Sequence, residues 1–385
     1  MKITPISIEE SGPGVELKRI GDLISVTMAD PDDGLAYAGN HVTLTFDLRT
    51  HENVVLAFEA RESGDEPHAP RDCEGTIRED GQAVFGPVAD FTFDGVAISG
   101  DGDGDDWYEA RGLRDPSSQR FSPIEIDLDG AIAQAGLFHA EDFKVRFCQY
   151  DNMPRRMDGI TIHGIRLTGD PLEVDPSLAL HLPMDDNGPN PIVRDKTRKH
   201  HQTFLDPGGN PNTDGHTAPG TVGTGLAFDG VDDQISLGTD IVDLAGPFSI
   251  SFWFATNDSK SQYLFGRAEG STSPGLIILV SSSGGVMASL TDDNGDAPYI
   301  IAHGAYDFTG YAHLAVVRSD TQLKLYVDGV LRGERDLSLS TITPDSLRIA
   351  TYAGIFAECT IDDFRVYDRA LDLDEIETLH QLAED

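Results

Sequence analysis

The sequence has 385 residues, enough chain for two domains with separate cores. Its 66 acidic against 28 basic side chains leave a formal net charge of −38, which repels nucleic acid and anionic membrane and argues against either as a partner. No apolar run approaches the roughly 20 residues that span a bilayer, so no membrane insertion is expected, and the opening MKITPISIEESG lacks the apolar core of a secretion signal.

In chain order, residues 42–48, 53–58 and 143–147 alternate or run apolar as strands of a first all-β module spanning residues 1–169. Between them, Asp101, Asp103 and Asp105 match the opening ligand spacing of an EF-hand-like calcium loop. Position six is Asp106 rather than glycine and position twelve is Gly112 rather than glutamate, so a solvated acidic turn is the competing reading. Trp107 and Tyr108, next to that loop, are candidates to stack on a sugar ring. Glu125-Ile126-Asp127-Leu128-Asp129-Gly130 approaches a glycosidase strand motif, but a polar edge-strand face produces the same pattern. Cys73 and Cys148 are the one pair expected to share a domain; with Cys359 they make three cysteines, too few for a disulfide framework.

The Pro- and acid-rich stretch GDPLEVDPS breaks the alternation and marks a linker at residues 170–178. A second module, residues 179–385, follows. His200-His201 with Arg194, Lys196, Arg198 and Lys199 forms its one basic patch. In FSISFWF, Phe248, Ile250, Phe252 and Phe254 take one strand face while Ser249, Ser251 and Trp253 take the other, which leaves Trp253 free to line a concave sheet. Asp229-Gly230, Asp292 to Asp296 and Asp328-Gly329 read as turns, the last joining LKLYV to VLRGER as a hairpin. Tyr311, in or near a predicted loop or edge, is a further candidate to stack on a sugar ring. A short C-terminal helix follows Tyr367, capped within residues 372–374 and facing inward through Ile376, Leu379 and Leu382.

The order GLAFDGVDDQISL, FSISFWF, AHLAVVRSDTQLKLYVDGVL, IDDFRVYDRALDLDEIETLH resembles the laminin-G-like, concanavalin A-like jelly-roll family, whose members mostly bind glycans or cell surfaces. The resemblance implies a structural calcium held by Asp362, at the opening of the last strand. Carbonyl donors are expected near residues 184–186, Asp186 among them, and near residues 223–225, including Gly223 and Gly225. The end of the first module, FKVRFCQYDNMPRRMDGITIHGIRL, is similar to MAM-like jelly rolls.

No nucleophile elbow, zincin helix or phosphate loop occurs. The expectation is therefore an all-β protein of two tandem antiparallel β-sandwich (jelly-roll) domains, without catalytic activity. It would bind a polysaccharide or glycoprotein at an extracellular, cell or virion surface, with calcium as a structural cofactor. One alternative is a self-assembling virion fibre, spike or surface appendage, which exposed apolar sandwich edges would support. A second is a glycoside hydrolase or polysaccharide lyase, which a cleft with two inward carboxylates would support.

Overall fold

Alternation of period two dominates this chain, and the alternating segments become strands with one face buried. The computed structural model divides into two units, Met1–Glu173 and Val174–Asp385. It describes residues 1–11, 15–20, 23–29, 38–63, 76–77, 83–85, 95–100, 107–113, 120–151, 159–239, 241–257, 259–267, 274–304, 308–339, 341–343 and 346–382. Asp101, Asp103, Asp105 and Cys73 lie outside the described residues.

In the first unit, one antiparallel sheet orders its strands Ser122–Asp127, His51–Ser63, Gly159–Pro171, Leu23–Ala29 and Val15–Ile20, with Lys2–Ile3 also beside Gly159–Pro171. The other runs Ser7–Ser11, Ala38–Phe46, Phe143–Asp151, Gly95–Ser99, Trp107–Gly112, Ala83–Phe85 and Thr76–Ile77. Val26, Leu56, Phe58 and Ile162 from the first meet Leu44, Phe46, Val145 and Phe147 from the second in one core. Phe58 and Phe147 pack edge to face, with centroids 5.2 Å apart.

Two features differ from the sequence expectation. The edge strand Ser122–Asp127 runs into a helix, Leu128–Ala135, capped by Asp127, whose carboxylate accepts the Gly130 N–H at 3.1 Å. Leu128, Ile132 and Ala135 bury one face of it; eight residues are too few for a helical period to stand out in the sequence. At the module boundary, strand Gly159–Pro171 continues to place Asp170 and Pro171 opposite Glu52 and His51, while Val174 and Leu178 pack into the second unit. The division after Glu173 thus leaves little of residues 170–178 as free linker.

The second unit has two eight-stranded sheets. One runs Thr217–Pro219, Thr224–Asp229, Glu358–Tyr367, Phe248–Ala255, Ala312–Arg318, Gln322–Val327 and Val330–Asp336, with Leu178–Leu182 also paired to Glu358–Tyr367. The other runs Ile192–Val193, Gln202–Leu205, Gln234–Gly238, Leu347–Ile349, Gln262–Arg267, Gly275–Val280, Val286–Thr291 and Tyr299–Ala302. Phe248, Ile250, Phe252 and Phe254 face Phe265, Leu276 and Ile278 across the core, as the alternation requires. Asp328 and Gly329 take φ of 51° and 70° and join paired strands at Val327 and Val330, the two-residue turn whose twist matches that of the strands.

The outer face of the first sheet is covered over its central strands. Helix Leu373–Gln381 is capped by Asp372, with Glu375 returning the bond to the cap backbone. Its Ile376 and Leu379 join Ala315, Val317, Tyr326 and Tyr367 in a satellite cluster. Trp253 lies under this helix, stacked on His380 at 5.4 Å and only 5% exposed. Trp253 does occupy the face opposite the phenylalanines, but a helix rather than a ligand covers its ring, so it does not line an open concave sheet. Trp253→Ala is expected to lower stability by about 3–5 kcal/mol, seen as a drop in melting temperature; a variant that melts like the parent would place the ring outside the packed layer.

Candidate functional site

Strand Thr224–Asp229 carries an acidic cluster at each end. At its start stands Asp362, fully buried, with Oδ2 accepting the backbone N–H groups of Thr221 and Val222, the latter at 2.9 Å, while Oδ1 has no hydrogen-bond partner. Asp362 reaches this loop because strand Glu358–Tyr367 bulges there: Trp253 pairs with Asp362 but Ser251 pairs with Arg365. The next residue, Asp363, takes φ of 49° and bonds His181 and Arg365 instead. Burial pushes the Asp362 carboxyl up to about 6, against the lowering effect of the two backbone bonds, and the charges of Asp363 and Asp185 add to the rise.

Asp185 is the second carboxylate of this cluster. Its Oδ1 accepts the Thr224 N–H at 2.7 Å, and a Cβ on Gly223, which has φ of 78°, would stand 2.3 Å from the same oxygen. Glycine at 223 thus suits the backbone conformation, and any side chain there would displace the Asp185 carboxylate. Gly225 similarly packs against the Ile361 carbonyl, and the Tyr311 hydroxyl lies beside it. Tyr311 donates to the Pro219 carbonyl. Its hydroxyl is pushed up to about 12, first by burial and then by the Asp362 charge.

At the far end of the strand, His216, Asp229 and Asp233 line a cleft of about 530 Å³ with Ala255, Thr256, Asn257, Glu358 and Thr360. The first strand's Asp229 pairs with Glu358 of the neighbouring one, so the two carboxylates flank the opening. Asp229 also folds its own turn, accepting the Val231 N–H at 2.8 Å. Asp233 accepts the Asp229 N–H at 2.9 Å, and its carboxyl is pushed up to about 6, chiefly by burial. This cleft can accept hydrogen bonds from hydroxyl groups and attract cations.

The structure redistributes the residues singled out in the sequence. Asp362, Gly223, Gly225 and Tyr311 come together, but Tyr311 serves the acidic loop rather than a sugar platform. Asp186 is committed elsewhere: its carboxylate takes the Arg194 N–H and Nη1 at 3.0 Å each, and its carbonyl takes the Thr217 hydroxyl. Its neighbour Asp185 fills the position beside Asp362. Trp107 is 1% exposed with the Arg146 guanidinium 3.8 Å above its ring, and Tyr108 is 5% exposed within the first unit's core. Neither offers a free face to a sugar. Asp292 organises its own turn, accepting the Asn294 and Asp296 N–H groups. The basic stretch wraps Asp195, which accepts the N–H groups of Thr197, Lys199 and His200. Asp206 and His216 match no short motif in the sequence, and they meet Asp233 only in the fold.

Residues 229–377 match the family described as the Concanavalin A-like lectin/glucanases superfamily, to which the laminin-G-like domains belong. No curated protein sequence gives a match. Among solved structures, the chain is similar to the receptor-binding domain of botulinum neurotoxin C/D mosaic serotype, at 15% identity over 54% of this chain and 52% of that one, with a TM-score of 0.43. It is also similar to the binding domain of Paraclostridial Mosquitocidal Protein 1, at 14% identity over 53% and 52%, TM-score 0.43. A third is the botulinum neurotoxin serotype D ligand-binding domain in complex with N-acetylneuraminic acid, at 16% identity over 53% and 50%, TM-score 0.42. The chain spans about half the length of each.

The Asp362 environment fixes a pH dependence. Below its ordinary value of 3.8 the carboxyl is protonated in folded and unfolded chains alike; as pH rises through about 6 the folded group must ionise in a buried position. Stability is lost across that window, by roughly 3 kcal/mol at full ionisation. In chelator at pH 8, Asp362→Asn should melt above the parent, and the difference should vanish near pH 4. A variant that melts lower at pH 8 would show that the carboxylate charge is already compensated by protein groups.

Proposed function

We propose that the second unit is a non-catalytic recognition module that binds a polysaccharide or glycoprotein at an extracellular or virion surface. The observation that carries this reading is the cleft at the end of strand Thr224–Asp229. Its volume of about 530 Å³ falls within the roughly 300–1,000 Å³ of small-ligand sites, and its rim presents carboxylate, amide and hydroxyl groups suited to sugar hydroxyls. The match of residues 229–377 to a lectin-containing superfamily supports it. The binding chemistry is polar and acidic rather than aromatic, since Trp107, Tyr108 and Trp253 are buried.

Calcium is the structural ion of this reading. Asp362 has a buried, unpartnered Oδ1, and Asp185 brings a second carboxylate towards it; oxygen donors of this kind are what calcium requires. Asp362 and Asp185 would hold the ion, with the Gly223 and Gly225 carbonyls as further donors. Bound there, the cation would supply the charge that the buried Asp362 carboxylate lacks and pin the 219–225 loop against the sheet.

A second reading, self-assembly, has its own observation. The edge strands Tyr299–Ala302 and Val330–Asp336, one from each sheet, meet along one side of the unit. They expose Tyr299, Ile301, Val330 and Leu331, the kind of apolar edge that invites a partner.

A glycan-array screen with and without calcium, paired with light scattering, tests both readings. Binding by a monomer, weakened tenfold or more by Asn257→Ala or Glu358→Gln with an unchanged melting temperature, is the expected result. No retained glycan together with a defined oligomer would replace recognition by assembly. Calcium should raise the melting temperature of the parent and leave that of Asp362→Ala unmoved; an equal rise in both would remove the ion from this site.

A further inference from the structure

We propose that Asp206, His216 and Asp233 form a second cation site in this unit, one that takes a divalent first-row transition ion such as Zn²⁺ or Mn²⁺ rather than calcium. One donor atom from each residue lies within 4.8 Å of the others.

The argument begins with the imidazole. His216 Nε2 faces the Asn210 carbonyl at 2.8 Å and Asp206 Oδ2 at 3.7 Å; Nδ1 faces the Ala227 carbonyl at 3.3 Å and Asp233 Oδ2 at 3.6 Å. All four neighbours are oxygens, and the two carbonyls accept only. A neutral imidazole carries one N–H, so either tautomer leaves a nitrogen lone pair directed at oxygen. A cation resolves this conflict, either a second proton on the ring or a metal ion.

Asp233 distinguishes the two. It is 1% exposed, and its Oδ1 has no hydrogen-bond partner. Protonating His216 satisfies the ring but leaves that buried oxygen orphaned, whereas an ion between the residues can engage both. The Phe204 ring, 4.2 Å from that of His216, fixes the imidazole plane, and a carbonyl on the nitrogen not used for the metal is the usual second partner of a ligating histidine. Donors at about 2.0–2.2 Å from a common ion stand roughly 3–3.5 Å apart, so the three side chains, now within 4.8 Å of one another, draw inward to close the set. One imidazole with two carboxylates suits a borderline ion; calcium takes oxygen ligands. His216 and Asp233 also line the cleft, which gives the ion an entry path.

The test uses the full chain stripped with chelator, then titrated with Zn²⁺ by calorimetry and with Co²⁺ by visible absorption, in excess calcium to occupy the Asp362 region. One retained equivalent is expected, with a Co²⁺ band that His216→Gln abolishes and an affinity that falls at least tenfold. Asp362→Asn should leave both unchanged, which separates this site from the calcium site. Should His216→Gln fail to fold, as judged by circular dichroism, Asp206→Asn on the half-buried loop decides by the same tenfold criterion. No retained ion, or affinity unchanged in a folded variant, overturns the proposal.

Discussion

The second unit is organised around a bulge in its most highly connected strand. Glu358–Tyr367 pairs on one side with Phe248–Ala255 and on the other with two strands in succession, Thr224–Asp229 along its first half and Leu178–Leu182 along its second. Asp362 and Asp363 occupy the seam where one partner ends and the next begins. A seam of this kind leaves backbone N–H groups without a ladder, and the Asp362 carboxylate takes two of them from residues 221 and 222. The extra residue also restores the alternation, so Ile361 and Phe364 both point into the core. The loop beside the seam, the geometry of Gly223 and the position of Tyr311 follow from where that carboxylate must stand.

Much of this was legible because its causes are local. The face assignment of Phe248 to Phe254, the Asp328-Gly329 turn and the Asp372 cap each depend on residues within a few positions, and each is found as read. What failed to show is tertiary. Trp253 has the right face, but nothing near it in sequence announces a helix more than a hundred residues later that covers it. Asp185 and Asp186 are adjacent and chemically identical; only the position of Arg194 commits one and frees the other. Asp206, His216 and Asp233 have no shared spacing because they are gathered by a loop, a turn and a strand end. The acidic run at residues 101–106 remains a reading of the sequence alone.

The acidic composition takes on a definite meaning in the second unit. Asp186, Asp195, Asp233, Asp292, Asp362 and Asp363 are all buried, and most accept backbone N–H groups in turns and seams. Carboxylates are strong acceptors for such groups, so part of the negative charge substitutes for missing ladder bonds where strands end. The same substitution concentrates negative charge at the two ends of one strand.

The position of the C-terminal helix also sets an order of events. Strand Glu358–Tyr367 is the central partner of strands that begin at Leu178 and Thr224, so the first sheet has a gap at its middle until residues 358–367 have been added. Helix Leu373–Gln381, which seals Trp253, emerges later still. With pairings this distant in sequence, formation of the sandwich is slow. Until strand Glu358–Tyr367 docks, Phe248–Ala255 has only one of its two neighbours, and this is the interval in which the protein depends most on being shielded from other chains.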